Sequence, residues 1–77
     1  MKRVSVTVNG VQEKVKFFRN DDKAVEYAKK RREEFCDEGL AKGLHLPDFG
    51  MNYNLRTGVV TYVCGLSDGT RLEALVS

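Results

Sequence analysis

The sequence predicts an α+β fold in which a single helix packs on one face of a four- to five-stranded antiparallel sheet, in the order ββαββ(β). Three observations support this prediction. Residues 3–8 alternate apolar and polar side chains, which is the period of a half-buried strand. Residues 21–38 place apolar side chains at helical spacing. The remainder of the chain contains short β-branched and aromatic runs separated by turn residues, as in antiparallel hairpins.

The first hairpin is predicted over residues 3–18. Asn9–Gly10 lies between its two strands, and this dipeptide accepts the positive φ angles that a tight hairpin turn requires. Alternation along the return strand, residues 11–18, divides its side chains between two faces. The residues expected on the core face are Val11, Val15 and Phe17, and those expected on the opposite face are Gln12, Lys14 and Lys16.

The helix is predicted to begin at Asn20 or Asp21, since either side chain can cap the first free N–H groups. Gly39 is expected to end it after Glu38 through a left-handed conformation. The apolar side of this helix is formed by Ala24, Val25, Tyr27, Ala28, Phe35 and Cys36. Arg31 and Arg32 also lie on this apolar side of the helix. We expect one of them to pack its aliphatic stem over the sheet edge, and Arg32 is retained as a candidate partner contact.

The second half of the chain is predicted to return to β structure. Residues 40–50 lack a clear period, but their apolar side chains are expected to fold over one end of the core. These side chains are Leu40, Leu44, Leu46 and Phe49. A strand follows over residues 51–56, with Tyr53 and Leu55 pointing inward, and Thr57–Gly58 turns the chain. Two further strands are expected over residues 59–64 and 71–76, joined by a turn at residues 67–70.

Size and composition indicate one folded domain, residues 1–77. A chain of 77 residues is too short to build two cores, and its 42% hydrophobic and 31% charged residues are typical of a folded domain. Thirteen Lys and Arg residues against eleven acidic ones give a mild net charge of +2. No export signal or membrane-spanning run is recognised, so the predicted location is the cytoplasm, with Cys36 and Cys64 reduced.

The residues that carry enzyme and metal chemistry are sparse. His45 is the only histidine, and together with Cys36 and Cys64 it lacks the paired short spacing of a structural zinc site, even with Asp48 as a fourth ligand. An iron–sulfur cluster needs four thiolates, and the chain has two. No phosphate-binding glycine loop or nucleophile elbow is present. The sequence therefore predicts a protein that is not an enzyme and takes no metal or cofactor.

The sheet face that the helix leaves bare is the candidate binding surface. Alternation predicts cationic and amide side chains there, whereas the acidic residues lie mainly on the helix, in its cap and in turns. Cations of this kind contact DNA phosphates, and forked amide or guanidinium groups contact base edges. A polar face that only meets solvent is the alternative. The predicted contacts are Arg3, Lys14, Lys16, Asn52, Asn54 and Arg56, with Arg32 from the helix.

Two segments resemble a family of DNA-binding domains. "MNYNLRTGVVTYV" is similar to the first hairpin of ethylene-response-factor-type domains and of the arm-binding domains of phage integrases. "VTVNGVQEKVKFFRNDDKAVEYAKKRREEF" is similar to their later strand–turn–strand–helix segment, with Ala24, Tyr27 and Ala28 in the helix pattern, although the two segments come in a different order here. The resemblance implies binding to the DNA major groove through an open sheet. The contacts it implies are Arg3, Lys14, Lys16 and Arg56.

A protein-binding function is the second hypothesis. Short chains that have a complete core and no catalytic residues suit a phage or mobile-element protein that binds and inhibits a host protein, such as a defence or transcription enzyme. An exposed strand edge would accept a strand from such a partner, or from a second copy of the chain in a homodimer. The two hypotheses differ in the surface they use, because DNA needs cations and strand addition needs a free edge.

Overall fold

The computed structural model describes all 77 residues and confirms the α+β fold, with one helix on one face of an antiparallel sheet. The sheet has six strands in the order β2–β1–β6–β5–β4, and β3 pairs with β1 on the same side as β2. The last strand therefore lies in the centre and joins the two hairpins. The elements are β1 (Lys2–Val8), β2 (Val11–Gln12), β3 (Lys16–Phe18), α1 (Asp21–Ala41), β4 (Asp48–Tyr53), β5 (Val60–Gly65) and β6 (Arg71–Val76).

The predicted turn of the first hairpin is present. Asn9 has a φ angle of 53° and Gly10 one of 80°, the positive values that an Asn-Gly hairpin turn requires. Asn9 also connects the hairpin to the centre of the sheet, because its side-chain oxygen accepts a hydrogen bond of 2.9 Å from the backbone N–H of Arg71. The turn therefore closes the first hairpin and also links it to β6.

A β-bulge divides the return strand and corrects the predicted faces. Near the turn, Thr7 pairs with Gln12, whereas further along, Val4 pairs with Lys16. The return strand therefore contains one extra residue between these pairs, and every side chain beyond it moves to the other face. The prediction was wrong for Lys16, which lies on the helix side, and for Phe17, which lies on the bare face. The same bulge accounts for β2 and β3 being separate strands.

The helix begins as predicted. The side-chain oxygen of Asn20 accepts a hydrogen bond of 2.7 Å from the N–H of Asp22, and Asp21 and Asp22 lie at the positive end of the helix dipole. The predicted apolar side faces the sheet. Ala24 and Ala28 are fully buried, and small side chains at these positions let the helix axis lie close to β1 and β6.

Gly39 does not end the helix, contrary to the prediction. α1 continues to Ala41, and the chain leaves the helix at Gly43, where φ is 81°. Gly39 is instead buried against the side chain of Leu66, and a Cβ at this position would overlap with both methyl carbons of that leucine. The glycine is therefore needed for close packing between the helix and the chain that follows β5.

Replacing Gly39 by valine is expected to lower the free energy of unfolding by about 1–2 kcal/mol, because the added carbons displace Leu66. Chemical denaturation measures this loss. The matched control is Ala41→Val in the same helix, where the residue is exposed and only the small propensity difference applies. Equal losses in the two variants would contradict the close-packing explanation.

The core has two parts beneath the helix. The larger part joins the central strands to the first half of α1, and the smaller joins Cys36 and Cys64 to Leu66. Leu44 and Leu46 pack on this smaller part as predicted, whereas Leu40 lies within α1 and is half-exposed, contrary to the prediction. The larger part consists of Val4, Val6, Ala24, Ala28, Tyr62, Leu72, Ala74 and Val76.

The strand predicted over residues 51–56 lies three residues earlier. β4 begins at Asp48 and ends at Tyr53, so Phe49 belongs to a strand and not to the preceding loop. Asn54 ends the strand, because its side-chain oxygen accepts hydrogen bonds from the N–H groups of Arg56 and Thr57. Leu55 consequently lies in a turn and is exposed, where an inward position was predicted.

Candidate functional site

The predicted contact residues divide between the two edges of the sheet. Strands β1, β6 and β5 lie between β3 and β4, so these edges are about 19 Å apart at the usual strand spacing. The predicted residues near the β3 edge are Arg3, Lys14 and Lys16, and those near the β4 edge are Asn52, Asn54, Arg56 and Arg32. One continuous cationic plane is therefore absent, and each edge is a separate candidate surface.

The bare face also carries carboxylates, which corrects its predicted charge. Arg71 on β6 forms ion pairs with Glu73 on the same strand, at 2.9 Å, and with Asp48 on β4. It reaches Asp48 across Gly65 of β5, which pairs with both residues. These two carboxylates raise the pKa of Arg71, the Glu73 contact more than the Asp48 contact. The cationic charge of Arg71 is thus compensated within the face.

Arg32, the candidate partner contact predicted on the helix, is engaged in contacts within the chain. Its Nη1 donates a hydrogen bond of 2.8 Å to the backbone oxygen of Gly50 on β4. Its guanidinium group lies 4.3 Å from the ring centroid of Phe49 and 5.2 Å from that of Tyr62. These contacts connect the helix to β4, which has no other strand on its outer side. The Nε of Arg32 is buried without a hydrogen-bond partner.

Asn54 and Arg56 are placed by the turn between β4 and β5. The side-chain oxygen of Asn54 is engaged by the backbone of this turn, so it is not free to accept from a base. Arg56 is exposed at the tip, and Asn52 lies on the bare face opposite Thr61. The β4 edge therefore presents one free cation and one free amide of the predicted set.

Positive charge is concentrated in the first hairpin. Residues 1–19 contain five Lys and Arg side chains and one carboxylate, a net charge of +4, whereas residues 20–77 contain eight Lys and Arg side chains and ten carboxylates, a net charge of −2. We name residues 1–19 the basic hairpin. Its cations are Lys2, Arg3, Lys14, Lys16 and Arg19. Lys2 and Arg19 were missed among the candidate residues, although the local charge density was visible in the sequence.

The five cations of the basic hairpin are available for an external anion. None of them forms an ion pair with a carboxylate of the chain. The single carboxylate of this segment, Glu13, is engaged by Arg31 of the helix through two hydrogen bonds, the shorter 2.7 Å. Burial of Arg31 acts to lower its pKa, but the hydrogen bond and charge of Glu13, together with Glu34 and Tyr27, outweigh burial and raise the pKa above its usual value. The hairpin thus keeps its positive charge.

An exposed aromatic ring lies among these cations. Phe17 pairs with Arg3 on the bare face and exposes 63% of its surface. On the helix side of the same strand, the Nζ of Lys16 lies 4.7 Å from the ring centroid of Tyr27. Phe17 was predicted to be in the core, and the bulge explains why it is outside. The basic hairpin therefore combines cations on both faces with one free aromatic surface.

The β4 edge has a different character. α1 packs against β1, β3, β5 and β6, so it leaves the helix side of β4 largely uncovered. Three apolar side chains form a row there, since each pairs with a residue of β5 that faces the helix. We name this row the apolar edge, and its members are Phe49, Met51 and Tyr53, which expose 46%, 55% and 56% of their surfaces.

The residues with nucleophilic or metal-binding chemistry form no site. No group of three or more His, Cys, Asp and Glu side chains is placed to hold a metal ion. Cys36 and Cys64 are both free thiols in the smaller core part. Burial raises the pKa of the Cys64 thiol, and the neighbouring Cys36 adds to that effect, which disfavours the reactive thiolate form. The helix lacks the long apolar run needed to cross a membrane.

No protein-family model, curated protein or solved structure gives a significant match to the chain. Its function is therefore inferred from the two edges described above: the basic hairpin on one side of the sheet, and the apolar edge on the other.

Proposed function

We propose that the protein is a small, non-catalytic DNA-binding module whose contact surface is the basic hairpin. The observation that carries this proposal is the segregation of charge, with a net +4 in residues 1–19 and −2 in the rest of the chain. A mild overall charge conceals this local concentration. Lysine and arginine side chains that lack an internal partner release counterions when they bind phosphates, and this release drives most non-specific nucleic-acid binding.

Phe17 supplies a second kind of contact. Exposed aromatic rings beside cations stack on unpaired bases, and every base offers a surface for such stacking. Arg3 is the cross-strand neighbour of Phe17, so a base on the ring brings its phosphate within reach of a guanidinium group. The arrangement supports binding of single-stranded DNA in preference to reading of base edges in a duplex.

Removing two cations from the basic hairpin tests the proposal. The variant Lys14→Gln/Lys16→Gln is expected to bind a short fluorescent DNA about tenfold more weakly, because two phosphate contacts are lost. The slope of log affinity against log salt should become shallower by about 1–2 between roughly 50 and 200 mM salt. Fluorescence anisotropy measures both quantities.

The control variant is Lys29→Gln/Lys30→Gln, which has the same net charge but removes two exposed lysines of the helix. Neither of these lysines forms an ion pair, and loss of the Lys16 contact with the Tyr27 ring costs only about 0.5–1 kcal/mol, so both variants should remain folded. This control should retain the affinity and salt slope of the unmodified chain. Equal losses in both variants, or no DNA binding by the unmodified chain at low salt, would contradict the proposal.

Phe17→Ala gives a prediction for the stacking contact. Its affinity for single-stranded DNA should fall about tenfold, whereas its affinity for duplex DNA should change little, since paired bases are unavailable for stacking. The free energy of unfolding should stay nearly constant because the ring is exposed. Anisotropy with both DNA forms, together with urea denaturation, measures these outcomes. A similar loss on both DNA forms would argue against stacking.

A second candidate function is protein binding at the apolar edge. Strand addition gives affinity through backbone hydrogen bonds and specificity through alternate side chains, and β4 offers both a free edge and an apolar row. Inhibition of a host protein by a phage or mobile-element protein would use such a surface. This function is distinguished from DNA binding by its location, because substitutions in the apolar edge would impair it and substitutions in the basic hairpin would not.

A further inference from the structure

We infer that the apolar edge pairs with the same edge of a second copy of the chain, so that two six-stranded sheets join into one continuous antiparallel sheet. This inference goes beyond DNA binding and does not depend on it, since the basic hairpin lies at the opposite edge. Its basis is the direction of the free backbone groups of β4, the symmetry of the apolar row, and the distribution of charge along the two edges.

The backbone of β4 presents a regular set of free hydrogen-bonding groups. Asn54 donates its N–H to the carbonyl oxygen of Val59, at 2.9 Å, which fixes the phase of the ladder between β4 and β5. Because hydrogen-bonded pairs alternate in an antiparallel ladder, the N–H and C=O groups of Phe49, Met51 and Tyr53 point away from β5. The residues with free backbone groups are thus the same residues whose apolar side chains are exposed.

The row is nearly symmetric about Met51, with an aromatic residue two positions away on either side. A two-fold axis through Met51, perpendicular to the sheet, therefore places Met51 opposite its own copy and Phe49 opposite Tyr53 of the second copy. These are pairs of residues with outward backbone groups, so the arrangement forms about six hydrogen bonds between the chains. It also places all six apolar side chains on one face, where cross-strand aromatic and methionine contacts form.

The distribution of charged side chains favours pairing through the β4 edge over pairing through the β3 edge. Residues 49–55 contain no charged side chain, and the axis places Asp48 opposite Asn54 of the second copy, with the cationic Arg56 two residues further along. No like charges face one another. The β3 edge, in contrast, has a bulge, short strands, and the cations Lys14 and Lys16, which are the features that prevent edge pairing.

The expected dimer is weak. A strand of six residues is about 20 Å long, and pairing along it buries less than the roughly 1,200–2,000 Å² of a standard stable interface. Interfaces below the standard size are typical of weak, transient complexes, so we expect a dissociation constant of about 10–100 μM. The chain should therefore change from monomer to dimer within the concentration range that sedimentation equilibrium covers.

Sedimentation equilibrium of the full chain tests the inference directly. The mean mass should rise from the monomer value of 8.7 kDa toward twice that value as concentration increases from about 1 to 500 μM. Met51→Lys should remain monomeric over the same range, because it places two lysines against each other. Val11→Lys, which changes an exposed apolar residue at the opposite edge, should dimerise like the unmodified chain.

A cross-link then tests the register. In the proposed pairing the two Met51 Cα atoms lie about 5.5 Å apart, which is within the range that a disulfide spans. Met51→Cys should form a covalent dimer under mild oxidation, and Asn52→Cys and the unmodified chain should form little. A chain that stays monomeric throughout would overturn the inference. So would a dimer that survives Met51→Lys, or a Met51→Cys variant that remains uncross-linked while dimeric.

Discussion

Leu72→Ala is expected to lower the free energy of unfolding by about 3–4 kcal/mol, the largest stability effect of the substitutions considered for this chain. Leu72 is completely buried and lies on the central strand β6, where it pairs with Val8 of β1 and Cys64 of β5. Alanine leaves a cavity between three strands and the helix, and the cost of this cavity adds to the lost burial of the leucine side chain. Urea denaturation followed by circular dichroism measures the loss.

This loss is large compared with the total free energy of unfolding of a chain this short. A chain of 77 residues is expected to have a free energy of unfolding of about 4–12 kcal/mol, so a single central leucine accounts for a large part of it. Leu75→Ala is the control, because Leu75 lies on the same strand but on the other face and is only half-buried. It should lose less than half as much as Leu72→Ala. Equal losses would contradict the placement of the core on the helix side.

Arg32→Ala is expected to lower the free energy of unfolding by about 2 kcal/mol, the second largest effect. The variant removes a charged hydrogen bond to the Gly50 carbonyl and the contacts of the guanidinium group with Phe49 and Tyr62. Part of this loss is offset because the buried Nε without a partner is also removed. DNA affinity should stay unchanged, since Arg32 is distant from the basic hairpin in the strand order.

Two control variants separate this structural role from a general effect of charge. Arg31→Ala removes the neighbouring arginine, whose partner Glu13 is exposed, and an exposed ion pair contributes about 0–1 kcal/mol. Arg32→Lys keeps the charge but loses the planar group that stacks on both rings, so it should recover little of the stability. If Arg32→Lys were as stable as the unmodified chain, the stacking contribution would be contradicted.

The sequence was informative where structure depends on neighbouring residues. The Asn9–Gly10 turn and the Asn20 cap each follow from a few adjacent residues, and both are present as predicted. The apolar side of the helix also follows from local spacing, because Ala24 and Ala28 recur at four-residue intervals and face the sheet. These local features were sufficient to predict the fold class and the order of the elements.

Only part of the candidate site could be predicted. Arg3, Lys14 and Lys16 were named from the sequence, but the faces on which the side chains of the basic hairpin lie depend on long-range pairing. The extra residue in the return strand is detected only from the cross-strand pairing of Val4 with Lys16. It moves Lys16 and Phe17 to the faces opposite to those predicted. Gly39 has the usual character of a helix end, yet its role is set by Leu66, which is distant in sequence. The position of Arg32 against β4 likewise depends on tertiary contacts.

The central claim is that DNA contacts the basic hairpin, and an NMR titration tests it most directly. Amide chemical shifts of the ¹⁵N-labelled chain would be followed at low salt as single-stranded DNA is added. We expect the perturbed amides to fall mainly within residues 2–19, with Arg3 and Phe17 among the most affected, and the shifts to reverse as salt is added. Perturbation centred on β4 or around Arg71, or no perturbation at all, would contradict this account.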